Sequence, residues 1–103
     1  MTFKKGNTYN LRVPIKLNGI NLKDSDVTKV VFKFDEIKKE FPSDEVSYDS
    51  ANGLFLITFS QEETLKLSDE IEYEVAVKLQ DEQVIRSDVK KTYSLKTIIE
   101  EAI

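Results

Sequence analysis

The sequence predicts an all-β sandwich of about six or seven antiparallel strands, with one short helical turn near residues 61–66. Three observations favour this class. Apolar residues recur at every second position along most of the chain, turn-forming residues separate these stretches, and no apolar stripe has helical spacing. With 103 residues the chain has the usual size of one domain, so we expect a single sandwich domain over residues 1–103.

The first long strand is expected over residues 9–17. Its odd positions, from Tyr9 to Leu17, are apolar, and most positions between them are polar, which is typical of a strand with one buried face. Pro14 lies within this stretch. Because proline has no amide hydrogen to donate, we expect this strand at a sheet edge or with a bulge at Pro14. Asn18-Gly19 then indicates a turn.

The middle of the chain predicts three strands, at residues 30–34, 46–48 and 54–59. The first of them is expected to direct Phe32 and Phe34 into the core. Residues 36–44 are expected to contain no long helix, because the residue before Pro42 avoids helical backbone angles. The strand over residues 54–59 is apolar on both phases, which predicts that both of its faces are covered.

Capping residues predict where the helical turn begins. Ser60 and Glu63 have the spacing of a capping box, so we expect a turn of helix from Gln61 to about Lys66. Thr97 and Glu100 repeat that spacing near the last residues. Residues 97–103 are therefore expected to form either a terminal helical turn or a mobile tail.

The clearest strand is predicted from Ile71 to Leu79, where every odd position is apolar. After the loop around Asp81-Glu82, the apolar residues Ile85, Val89, Tyr93 and Leu95 again stand on odd positions. If these residues share one sheet face, Leu79 lies opposite Ile85. The connection must then contain an odd number of residues, or a bulge must correct the register.

Composition excludes most catalytic chemistry. The chain has no cysteine and no histidine, so it lacks thiolate nucleophiles, disulfides, imidazole bases and histidine metal ligands. No nucleophile motif or glycine-rich phosphate loop is present. We therefore expect a protein that is not an enzyme, with no catalytic, cofactor-binding or metal-binding residues and no cofactor.

Charge and hydropathy restrict the partners. The net charge is -4, and the lysines are not accompanied by an arginine-and-aromatic stripe, so no nucleic-acid partner is expected. The longest aliphatic and aromatic run covers only residues 54–57, far below the roughly 20 residues of a membrane span. We expect no membrane partner, and the first residues do not have the pattern of a signal peptide.

Acidic residues in the predicted loops leave one alternative open. Asp24-Ser25-Asp26 lacks the glycine and the closing glutamate of a calcium loop, which favours turn-stabilising hydrogen bonds instead. The other loop acids could converge on a cation or form a glycosidase-like pair. Solvation of a highly charged surface is the simpler interpretation. These residues are Asp44-Glu45, Asp49, Asp69-Glu70 and Asp81-Glu82.

The aromatic residues fall into two groups. Those on the apolar phase of their strands are expected in the core, and Tyr73 could also act as a tyrosine corner that hydrogen-bonds the backbone upstream. This group contains Tyr9, Phe32, Phe34, Tyr73 and Tyr93. Three others lie outside the strong alternation and are candidates for a partner-facing surface, although each could equally cap an end of the core. These are Phe3, Phe41 and Tyr48.

Four segments together resemble a known group of proteins: residues 5–14 (KGNTYNLRVP), 58–64 (TFSQEET), 71–78 (IEYEVAVK) and 84–87 (VIRS). In this order they resemble small immunoglobulin-like proteins from the tail or baseplate modules of phages and prophages of Gram-positive bacteria. The chain is similar as well to the N-terminal sandwich of upper-baseplate proteins, without the long trimerising helix that follows there. The resemblance implies an immunoglobulin-like antiparallel β-sandwich and no functional residues to transfer.

The resemblance also implies a function. The expected role is a non-enzymatic virion component that helps to build a tail or baseplate, with other phage structural proteins and copies of itself as partners. Its expected location is the host cytoplasm before assembly and then the virion. Edge strands, whose unpaired amides can accept a neighbour's strand, fit such assembly. Two alternatives stay open: a carbohydrate- or surface-binding immunoglobulin-like module, and a regulatory or anti-defence binder in the host cytosol.

Overall fold

The structure, a computed structural model, describes residues 2–103 and is mostly β, as the sequence predicts. Its helical parts are a 3-10 turn over Asp24–Asp26 and helix α1 over Gln61–Leu65. The strands are β1 (Thr2–Lys4), β2 (Tyr9–Val13), β3 (Lys16–Leu17), β4 (Ile20–Asn21), β5 (Val27–Phe34), β6 (Ile37–Phe41), β7 (Val46–Asp49), β8 (Leu54–Phe59), β9 (Glu70–Leu79), β10 (Val84–Arg86) and β11 (Lys90–Leu95).

These strands form two main sheets and a small hairpin. The larger, curled sheet has six strands in the order β1-β11-β9-β5-β6, with β10 also paired to β9. The smaller sheet has the order β2-β8-β7, and β3 pairs with β4 alone. The β1–β11 pair is parallel, and the other pairs are antiparallel.

The expectation of six or seven strands is wrong, because several stretches are divided or were missed. Pro14 ends β2, so the expected strand over residues 9–17 is split into β2 and β3. As Pro14 predicts, β2 is an edge strand. Strand β6 occupies a region where only the absence of a long helix was expected, and Lys39 stands at one of its inward positions, opposite Phe32.

Two local predictions from turn and capping chemistry are confirmed. Asn18 and Gly19 have φ of 53° and 78°, the positive values that a two-residue hairpin turn of this kind requires. The hydroxyl of Ser60 accepts from the Glu63 amide at 3.2 Å, and the Glu63 carboxylate accepts from the Ser60 amide at 2.9 Å. This reciprocal pair begins α1 at Gln61.

Replacing Ser60 by alanine should therefore lower the free energy of unfolding by about 1 kcal/mol, because the Glu63 amide loses its acceptor. Urea unfolding followed by circular dichroism measures this. Ser47→Ala is the matched control, since Ser47 is exposed on β7 and its hydroxyl has no hydrogen bond within residues 2–103. Equal loss in both variants would contradict the capping role.

The apolar faces of the two sheets meet in one core. Phe34 of the larger sheet packs edge-on against Phe59 of the smaller sheet, with ring centroids 5.2 Å apart, and Phe32 is fully buried. Both faces of β8 were expected to be covered, and this is wrong. Phe55, Ile57 and Phe59 are buried, whereas on the opposite face Leu54 and Leu56 are only half-buried and Thr58 is exposed.

The connection after β9 confirms the predicted parity but not the predicted pair. The Leu79 amide donates to the Gln83 carbonyl at 2.9 Å, so the loop between them contains the three residues 80–82. Three is odd, as required. Ile85, however, lies opposite Val77 rather than opposite Leu79.

A bulge then reverses the phase of the last strand. Arg86 pairs with Ala76, but Lys90 pairs with Tyr73, so residues 87–89 lie opposite only two residues of β9. A shift of one residue moves every following side chain to the other face. The expectation that Tyr93 and Leu95 point into the core is therefore wrong: they are 58% and 57% exposed, and the buried residues are Thr92 and Ser94.

Residues 97–103 form no helix, so of the two alternatives expected there the terminal helical turn is wrong, and the mobile tail stays a prediction. The Thr97 hydroxyl accepts from the Ile99 amide at 3.2 Å, which makes a local turn without continuing into a helix. The Ile103 amide donates to the Gln61 side-chain oxygen at 2.8 Å, so the segment lies against α1. Over residues 2–103, no helix has the length and apolarity needed to cross a membrane.

Candidate functional site

Phe3, expected on a partner-facing surface, is buried in the core. Its ring packs edge-on against Tyr9 and Phe59, with centroids 5.1 and 5.4 Å away. The reason is the parallel pairing of β1 with β11, which places Phe3 beside the inward-facing Ser94. The partner-facing prediction is wrong for Phe3, and the alternative, a core role, holds.

Phe41 and Tyr48 lie together in a second aromatic cluster. Both rings pack edge-on against the buried Phe55, at centroid distances of 5.2 and 5.0 Å. Both residues remain half-buried. They cover the core on the side where β6 and β7 adjoin, which again matches the core-capping alternative.

The tyrosine hydroxyl that contacts the backbone is not the expected one. The Tyr9 hydroxyl accepts from the Lys4 amide at 2.7 Å. Tyr73 instead stacks on Phe34, with centroids 5.7 Å apart and planes 17° from parallel. The interpretation of Tyr73 as a tyrosine corner is wrong, since within residues 2–103 its hydroxyl has no hydrogen bond.

Several of the loop acids have local partners. Asp49 accepts from the amides of Ala51 and Asn52, and the hydrogen bond from the Asn52 side chain holds the pKa of Asp49 below its ordinary value. Asp69 pairs with Lys5 at 2.8 Å. No group of three or more acidic side chains between residues 2 and 103 is arranged to hold a metal ion.

Lys39 is a buried charge that the sequence pattern did not indicate. Its side chain is fully enclosed, and its ammonium group pairs with Glu45 and, at 2.7 Å, with Glu63. The same group lies 5.1 Å from the centroid of the Phe59 ring. Both carboxylates are partly exposed to solvent, so this cluster joins β6 to α1 and to the start of β7.

Two opposing effects in this cluster act on the pKa of Glu63. Burial alone would raise the pKa of Glu63, but the hydrogen bond and charge of Lys39, together with the Ser60 amide, outweigh it. The pKa of Glu63 is therefore held below its ordinary value. Because no buried polar side-chain atom among residues 2–103 lacks a hydrogen-bond partner, we assign the cluster to stability rather than to chemistry.

The most distinctive surface is one open side of the molecule. The inward residues of β5 and β8 are buried, whereas those of β2, β3 and the middle of β9 are only half-buried. The two sheets therefore do not close on this side. We call this surface the open flank and define it by Leu11, Val13, Ile15, Leu17, Tyr73, Val75 and Ile85.

Two apolar recesses lie along the open flank. One, of about 230 Å³, is lined by Val13 and the other, of about 210 Å³, by Ile15; Val75 lines both. Cations border them: Arg12 at the first, and Lys16 and Arg86 at the second. Among the residues that the structure describes, no carboxylate lines either recess.

These bordering cations are weakly paired. Arg12 lies 3.6 Å from Asp49, and Arg86 lies 3.7 Å from Glu74, with both cationic side chains more than half exposed. Lys16 is exposed and has no ion pair with any residue from 2 to 103. Long, exposed pairs of this kind contribute little and are readily exchanged for other partners.

Strand β2 adds an unpaired backbone edge to the open flank. It stands at one end of the order β2-β8-β7, so within residues 2–103 only one of its edges is paired. An edge of this kind can hydrogen-bond an extended segment, and adjacent apolar recesses can hold alternate side chains of that segment. Pro14 was the sequence signal for this edge; the recesses had none.

Comparisons with protein-family models, curated proteins and solved structures gave no match to the chain. The structure itself shows a mostly β chain. Its open flank is apolar, is bordered by cations and lies along an unpaired strand edge.

Proposed function

We propose that the chain is a non-enzymatic structural component of a phage or prophage virion, acting in a tail or baseplate through protein–protein contacts. The observation that carries the proposal is the open flank, where an unpaired strand edge lies beside two apolar recesses. Half-buried apolar residues on such an edge are suited to receiving a segment of another protein. The resemblance of residues 5–14, 58–64, 71–78 and 84–87 supplies the virion context.

We further propose that the fold is an immunoglobulin-like sandwich. The order β1-β11-β9-β5-β6 in one sheet and β2-β8-β7 in the other supports this, because the chain crosses repeatedly between the sheets as it does in that fold: β2 lies in the smaller sheet, β5 and β6 in the larger, β7 and β8 in the smaller again, and β9 to β11 in the larger. In such a sandwich a first strand often completes the smaller sheet beside the strand equivalent to β2. Here β1 pairs with β11 instead, which leaves the β2 edge open.

Electron microscopy of particles induced from a lysogen, with a gold-labelled antibody against this chain, tests the virion role. We expect label on tails or baseplates of the purified particles. Lysogens carrying Val13→Asp should lose the label, since a carboxylate would enter an apolar recess, whereas Asn10→Asp on the exposed face of the same strand should retain it.

Both variants must first melt as cooperatively as the parent chain, which separates loss of assembly from loss of folding. Particles that lack this chain in the parent lysogen would overturn the virion role. Neighbouring genes for tail tape-measure, baseplate or holin proteins would support it.

One observation favours the carbohydrate- or surface-binding alternative. Tyr93 is an aromatic residue on the outer face of the larger sheet, with Glu70 opposite it and Lys91 on the same strand. An exposed ring beside a carboxylate can stack on a sugar. A glycan array probed with the parent chain and with Tyr93→Ala distinguishes the two functions: binding that Tyr93→Ala abolishes would favour this alternative.

A further inference from the structure

The 97–103 segment exposes large aliphatic side chains and carries acidic residues, whereas the open flank is bordered by cations. Ile98 and Ile103 are 99% and 97% exposed, and Ile99 is more than half exposed. Exposing a large aliphatic side chain forgoes the free energy that its burial would provide. Glu100 and Glu101 directly follow the two adjacent isoleucines.

The open flank can bury the apolar side chains of this segment and pair with its carboxylates. Its recesses are apolar, and the charged residues that line them are all cations: Arg12, Lys16 and Arg86. The segment supplies apolar side chains and two carboxylates. The two surfaces are therefore complementary in both hydrophobicity and charge.

The length of the 97–103 segment matches the length of the open flank. Seven extended residues span at most about 25 Å, and the path from Leu11 to Leu17 along the flank is about 20 Å by the same rise per residue. Within one molecule, however, the segment lies against α1, where the Ile103 amide donates to Gln61. In that position its isoleucines remain exposed.

We propose that the 97–103 segment of one copy docks on the open flank of a second copy. Ile99 and Ile103, which share one face of the extended segment, enter the two recesses, and Glu101 between them faces the bordering cations. The contact joins different surfaces of the two copies, so it can continue from copy to copy into a ring or a filament. The inference rests on the proposed function, because it names the partner that the open flank receives.

Disulfide trapping between separate copies tests this directly, since the parent chain contains no cysteine. Ile99→Cys and Val13→Cys variants are purified singly, mixed and oxidised. We expect a mixed disulfide dimer that is about tenfold more abundant than with Ile99→Cys and Ser47→Cys, whose cysteine would stand on exposed β7.

Yields no higher for Val13→Cys than for Ser47→Cys would overturn the proposal. A chain carrying both Ile99→Cys and Val13→Cys tests the intramolecular alternative. If that chain forms only an internal disulfide at every protein concentration, the segment occupies its own flank and the proposal fails.

Light scattering after size exclusion provides a second, non-covalent readout. Ile99→Asp combined with Ile103→Asp should weaken self-association about tenfold or more, and added salt should weaken it in the parent chain. Unchanged self-association in the double variant would overturn the proposal. If Val13→Asp nevertheless removes the chain from particles, the proposed function stands without it; if self-association depends on both surfaces but particles lack the chain, the virion role fails instead.

Discussion

Replacing Lys39 by alanine is expected to lower the free energy of unfolding by about 3 kcal/mol. The substitution removes the cation between Glu45 and Glu63 and leaves the partly buried Glu63 carboxylate without its main partner. It also removes the ammonium group beside the Phe59 ring and opens space in a position where the lysine is fully enclosed. Chemical unfolding at neutral pH, followed by circular dichroism, measures the loss.

The neighbouring lysine provides the matched control for this effect. Lys38 stands on the same strand but is more than half exposed, and its pair with Glu40 lies at the surface. Lys38→Ala should cost about 1 kcal/mol or less, because exposed ion pairs contribute little. Similar losses for Lys38→Ala and Lys39→Ala would contradict the structural role of the Lys39 cluster.

Acid provides a second readout of the same cluster. A carboxyl whose pKa is lowered in the folded state contributes stability above its unfolded pKa, and this contribution is lost as the pH falls through the folded pKa. Glu63 is such a group, so below about pH 4.5 part of the parent's stability should disappear through it. In Lys39→Ala this part is already absent, and its stability should fall less steeply with acid. Identical slopes in the parent and the variant would argue against a charged Lys39–Glu63 pair.

The strands were predictable where a regular alternation marks one buried face. In β5 and β9 the apolar phase of the sequence is the phase that packs inward, and turn residues such as Asn18 and Gly19 fixed the ends of a hairpin. Strand β6 was not predicted, because Lys39 interrupts its apolar phase. A lysine is expected to face solvent unless its carboxylate partners are known. Here one partner, Glu45, lies in the connection after β6, and the other, Glu63, lies in α1.

The register of the last strand depends on contacts that no local pattern contains. The bulge at residues 87–89 has no glycine to indicate it, and it is held by the Ser87 hydroxyl, which accepts from the Val75 amide at 3.0 Å. The apolar residues Ile85, Val89, Tyr93 and Leu95 all stand at odd positions, so the sequence shows no change of phase at the bulge. The structure shifts by one residue there and places Tyr93 and Leu95 outside.

Of the open flank, the sequence predicted only the unpaired strand edge. Pro14 indicated an edge strand, and the edge is where the open flank lies. Phe3 failed as a surface candidate because it belongs to β1, a short strand whose alternation is too brief to recognise. Its pairing with β11, rather than its own sequence neighbours, determines that it contacts the core. Phe41 and Tyr48 are half-buried, so their partner-facing role stays a prediction.

Phe34→Ala is expected to lower the free energy of unfolding by about 3–5 kcal/mol, because the Phe34 ring is buried between Phe3 and Phe59 and alanine leaves a cavity there. Leu95→Ala should change stability by only about 0.5 kcal/mol, since Leu95 faces solvent after the bulge. The unbroken alternation of the sequence instead predicts a large loss for both. Urea unfolding of the two variants beside the parent chain decides between these registers, and a loss of about 2 kcal/mol or more for Leu95→Ala would place that side chain in the core and contradict the bulge.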